Sequence, residues 1–184
     1  MIDLNSFKSL IGQKVSRFFV IIWPPFGEEK MLDVDMSIGF EFEGHRGSVF
    51  QIKINIEDNW TPLVTKVDLG EVFKWPLFDQ RVSDWMKGDI DKEMSYEYYD
   101  ATQEQMFNFI SSSEIFDIEF LTLKGDFSPF AVKIIFRDDC ITVSANSDGS
   151  TIETSLFNTL GNLDNYRQMG VVECLKLKAA ELRV

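Results

Sequence analysis

The chain has one histidine, two cysteines and five prolines in 184 residues, and 18 basic against 30 acidic side chains. Each scarcity removes a class of function. The single histidine, His45, excludes metal sites built from several imidazoles. It stands between Gly44 and Gly47, which reads as a surface turn, a poor place for a general base. Cys140 and Cys174 form no CxxC pair and no disulfide framework. They read as free thiols in a reducing compartment, and most simply as small apolar core residues. A net charge of -12 has the wrong sign for phosphate backbones and for anionic membrane surfaces. The apolar run Phe18-Phe19-Val20-Ile21-Ile22-Trp23 ends at Pro24-Pro25, well short of a bilayer span. The reading is therefore no signal peptide, no transmembrane segment and a cytoplasmic protein. No phosphate-binding glycine loop, nucleophile elbow or HExxH zinc motif occurs.

Against these absences stand a hydrophobic content of 45% and 17 phenylalanines, ample for one packed domain. Period-two alternation is the strongest local signal. Leu32, Val34, Met36, Ile38, Phe40 and Phe42 alternate with polar residues. Gly44 to Gly47 supplies a turn, and Phe50, Ile52, Ile54 and Ile56 alternate again. This predicts a hairpin with one buried and one wet face. Asn5 or Ser6 can cap a short helix ended by Gly12. Trp60 to Pro62 reads as an irregular link, followed by short strands at Val64–Val67 and Val72–Trp75.

The hairpin sequence recurs 80 positions on. Ile38 then falls on Ile118, Phe40 on Phe120, Phe50 on Phe130 and Ile54 on Ile134. Thr102 with Gln105 resembles a capping box, so a helix is expected from about Thr102 to Ser111 ahead of the second hairpin. The expected fold is α+β: two pseudo-repeated helix plus antiparallel β-sheet halves, approximately 1–100 and 101–184, in one compact domain. The tail from Val171 fits either a helix or a strand through Leu177.

Asp79 to Asp100 differs from the rest. Seven acids face three bases there, with Trp85, Tyr96, Tyr98 and Tyr99 interleaved. Aromatic rings beside carboxylates suit an interface with Arg and Lys: the rings supply buried area, the acids steer association. Asp84, Trp85, Asp89, Asp91, Glu93, Tyr96 and Tyr98 are the expected partner-binding residues. No catalytic residue, metal ligand or cofactor is expected, because carboxylates such as Asp33, Asp35, Asp138 and Asp139 read as solvated.

Small, acidic and without a catalytic motif, the chain is similar in type to bacterial toxin-immunity proteins. That resemblance implies a non-catalytic cytosolic protein that binds a basic protein partner. The alternatives are a small-molecule binding domain with an apolar pocket between sheet and helix, and an aspartate- or metal-dependent hydrolase.

Overall fold

The computed structural model describes residues 2–23, 35–55, 59–70, 96–146, 149–159 and 161–177. Among the described residues, ten strands form two five-stranded antiparallel sheets. The first sheet holds β1 (Val15–Trp23), β2 (Asp35–Phe42), β3 (Ser48–Asn55), β4 (Thr61–Asp68) and β5 (Glu97–Asp100), in the order β4-β3-β2-β1-β5. The second holds β6 (Asp117–Leu123), β7 (Ala131–Ile135), β8 (Cys140–Asn146), β9 (Gly149–Glu153) and β10 (Val172–Lys176), in the order β10-β6-β7-β8-β9. Among the described residues, α-helix is confined to α1 (Leu4–Lys8) and α2 (Asn162–Met169). The expected α+β fold of helix-plus-sheet halves is thereby corrected to a mostly β protein. Neither of these helices is long and apolar enough to cross a membrane.

The two sheets follow one plan: a four-stranded meander whose fifth strand returns antiparallel beside the first. That plan lays β1 on β6 and β2 on β7. The 80-residue match instead lays β2 on β6. The registers also disagree: Ile38 pairs with Ile52, yet Ile118 pairs with Ile134 and not with Val132, the residue 80 beyond Ile52. Phe50 packs against the central core, whereas Phe130 belongs to a separate cluster with Leu121 and Ala131. The repeat of helix plus hairpin read from sequence is thus not an equivalence of structure. Alternating apolar residues at period two keep the same apolar pattern at any even offset, so a recurrence of strand chemistry need not be a recurrence of structure.

The core lies between the sheets. It takes Phe18 and Val20 from β1, Ile38, Phe40 and Phe42 from β2, and Ile118, Phe120, Val132, Ile134 and Val143 from the second sheet. Phe7 of α1 meets Phe120 edge-on at 4.9 Å between centroids. Asp3 caps α1 by accepting from Asn5 N and Ser6 N, two residues before the cap expected. The helix expected at 102–111 is reduced to a 3-10 turn at Gln105–Phe107. Thr102 does not cap it: its hydroxyl accepts from Phe18 N at 3.0 Å and bonds the Asp100 carboxylate. Pro62 lies inside β4, which is tolerated because β4 is an edge strand. The tail is a strand over Val172–Lys176, while the strand expected at Val72–Trp75 falls outside the described residues.

The expected wet face of the first hairpin is also corrected. Ser37, Glu41 and Gln51 are buried along with the apolar residues between them. Phe19, Ile21 and Val49 form a second apolar cluster on this outer face, with Leu69, Tyr96 and Tyr98 against it. Gly39 lies beneath that cluster. A Cβ there would stand 2.5 Å from Val49 Cγ1 and 3.1 Å from Ile21 Cδ1. Gly39→Ala should therefore cost about 1–3 kcal/mol through overpacking, read as a lower urea midpoint at unchanged slope.

Candidate functional site

Of the expected partner-binding residues, Asp84, Trp85, Asp89, Asp91 and Glu93 lie outside the described residues. Tyr96 and Tyr98 are described, and both are half-buried on the outer face of the first sheet. Tyr98 donates to Gln51 Oε1 at 3.2 Å, and Gln51 Nε2 donates to Ser37 Oγ at 2.9 Å. Tyr96 donates to Asp35 Oδ2 at 2.9 Å. Burial pushes the Tyr96 phenol well above its ordinary value, and the Asp35 carboxylate adds to the shift. Burial likewise raises Tyr98. Both hydroxyls are neutral donors spent on the fold.

Tyr99 points the other way. It is 47% exposed, and its hydroxyl donates to Glu104 Oε1 at 2.8 Å. Its neighbour Asp100 accepts from Arg17 Nη2 at 2.7 Å and Nε at 3.0 Å. Partial burial alone would raise Asp100, but the bonds from Thr102 and Arg17 hold it below the usual carboxylate range. The Asp100 carboxylate is therefore ionised at neutral pH. Among the described residues β5 ends its sheet. The alternation of Tyr98 and Tyr99 across β5 is visible in sequence. Which ring is exposed depends on which face of β1 carries Phe19 and Ile21, and that is not.

Asp35 is not the solvated carboxylate that was expected. It accepts from Ser150 N and Ser150 Oγ, each at 2.8 Å, as well as from Tyr96. Ser150 belongs to β9, so Asp35 ties the first sheet to the second. Asp33 lies outside the described residues. Asp139 is likewise engaged, accepting from Cys140 N at 2.8 Å and from the Ser155 hydroxyl.

The outer face of the second sheet carries a different cluster. Glu119 is 7% exposed, with Lys176 Nζ at 2.9 Å and Lys133 Nζ at 3.9 Å. Burial alone would raise it; bonds from Lys176 and Cys174 and the two lysine charges hold it below the ordinary value. A depressed carboxylate gives stability that is present above its unfolded value near 4.5 and lost as pH falls through the folded value. The stability gap between wild type and Glu119→Gln should therefore narrow as pH falls from neutral past about 4, measured by urea unfolding at each pH. The cysteines are not the core residues expected: Cys174 is exposed and Cys140 half-buried. Partial burial of its sulfur, with Glu119 alongside, pushes the Cys174 thiol up to about 11. Burial also raises Cys140. Both stay protonated at neutral pH, which makes them poor nucleophiles. His45 sits exposed in its turn, edge-on to Phe50 at 5.3 Å. Among the described residues no group of three His, Cys, Asp or Glu could hold a metal ion.

No protein family model, no curated protein and no solved structure matches the chain.

Proposed function

We propose that this protein is a non-catalytic cytoplasmic binder of a basic protein partner, of which a toxin-immunity pairing is one instance. The observation that carries the reading is the β5 edge: an exposed Tyr99 ring beside the Asp100 and Glu104 carboxylates, on the strand that ends its sheet among the described residues. A partner segment can add to such an edge through main-chain hydrogen bonds, with the ring as its anchor. The net charge of -12 draws a basic partner toward it. The acid-rich sequence from Asp79 leads directly into this strand, so the acids expected to steer association are continuous in sequence with Tyr99, which takes the anchoring role that the sequence suggested for Trp85 and Tyr98.

Charge should set the association rate and the ring the lifetime of the complex. Glu104→Gln should slow association and flatten its dependence on salt. Tyr99→Ala should speed dissociation about tenfold while leaving the association rate nearly unchanged. Stopped-flow or surface-binding kinetics with the partner at low and moderate salt separate the two effects. If neither variant alters either rate, β5 is not the interface.

A further inference from the structure

A cavity of about 440 Å³ opens where the chain enters β1 and β6, beside the turn from β7 to β8. Ile11, Ser113, Glu114, Phe116, Arg137 and Asp138 are among the residues that line it. Two of its lining segments are laced together by main chain. Gly12 N donates to Ile115 O at 2.8 Å, Ile115 N to Gln13 O at 3.1 Å and Val15 N to Ser113 O at 2.9 Å. Phe116 N then donates to Ile135 O at 2.8 Å. Glu114 and Phe116 are thus carried on a braced backbone that joins the approach to the first sheet with the approach to the second.

We infer that this cavity binds a zwitterionic α-amino acid with an apolar side chain. The charges present select it. Lys14 also lines the cavity, but its Nζ is spent on Glu43 Oε1 at 2.7 Å. Arg137, Glu114 and Asp138 are exposed, and among the described residues no hydrogen bond or ion pair engages their side chains. One uncommitted guanidinium therefore shares the cavity with two uncommitted carboxylates.

A guanidinium fork takes a carboxylate bidentately. An ammonium offers three donors, enough for both carboxylates and the Ser113 hydroxyl. An α-amino acid, one carboxylate beside one ammonium, uses both signs at once. Ile11 and the Phe116 ring, 58% exposed, give its side chain an apolar surface, and the volume suits a small ligand. Ligands of one sign meet a like charge: a phosphate faces Glu114 and Asp138, and a diamine faces Arg137.

The test is NMR titration of the ¹⁵N-labelled full chain with L-phenylalanine and L-leucine. Each is run beside its own single-charge relatives: phenethylamine and hydrocinnamate for the first, isoamylamine and isocaproate for the second. At least one amino acid should shift the amides of Ser113, Glu114 and Asp138 saturably, at millimolar concentration or below. Its amine and its acid should each bind about tenfold more weakly or worse. Arg137→Gln should weaken the amino acid about tenfold without weakening its amine, a split that a merely structural role would not produce. Its melting temperature should stay close to wild type, because the guanidinium holds nothing in the fold. The assignment is overturned if neither amino acid gives saturable shifts at these amides, if a single-charge relative binds as tightly as its amino acid, or if Arg137→Gln binds as wild type. Partner binding at β5 is read by separate variants, Tyr99→Ala and Glu104→Gln, so either proposal can fail alone.

Discussion

Phe40→Ala should lower stability by about 3–5 kcal/mol, the largest loss expected of any single change in this protein. The residue is 0% exposed. Its ring lies 5.7 Å from Phe18, 6.0 Å from Phe42 and, across the sheets, 6.0 Å from Phe136. Truncation removes the transfer energy of the ring, the ring contacts and the packing of one sheet on the other. The site has little freedom to collapse, because β2 is held by β1 on one side and β3 on the other. A cavity that cannot collapse costs more than the transfer term alone. Urea unfolding should show a large fall in midpoint with the slope unchanged. A midpoint equal to that of wild type would mean that Phe40 does not face the core.

Asp35→Ala should cost about 2–3 kcal/mol, in the range for hydrogen bonds to a charged group with a partner left unsatisfied. Three donors converge on this carboxylate, the Tyr96 hydroxyl and the backbone and side chain of Ser150. Its removal loosens the tie between β2 and β9 and frees the segment leading into β5. A Cβ on Gly149 would stand 2.5 Å from Asp35 Cγ, so Gly149→Ala disturbs the same contact from the other sheet. The two changes should be strongly non-additive in a double-mutant cycle. A second readout is independent of stability. Asp35 contributes to the raised Tyr96 phenol, so Asp35→Ala should bring one tyrosine titration back toward its ordinary range. Additive losses and an unchanged tyrosine titration would show that Asp35 and Ser150 are not joined.

The first hairpin was legible because period two is a local property. Ile38 opposite Ile52 and Phe40 opposite Phe50 follow from alternation and the turn at Gly44 to Gly47. Burial of the second face was not legible, since it depends on Tyr96, Tyr98 and Leu69 arriving from elsewhere in the chain. α2 left little trace in the sequence. Gly161 caps it without a side-chain hydrogen bond, and Leu163 and Tyr166 are its main apolar contacts to the sheet. The expected helix at Thr102 failed for a nonlocal reason, the bond from Phe18 N. At the candidate interface, the mixture of rings and acids around Tyr96 to Asp100 was visible. That Tyr96 and Tyr98 would spend their hydroxyls on Asp35 and Gln51, leaving Tyr99 exposed, required the strand order β2-β1-β5.

The most direct test of a protein-binding β5 edge is a photo-crosslinking residue placed at Tyr99 of the full chain in its native cell, with the captured protein identified and then purified. The predicted result is one basic protein whose association slows with added salt and with Glu104→Gln. An acidic partner, a salt-independent association rate, or no capture at this position would contradict it.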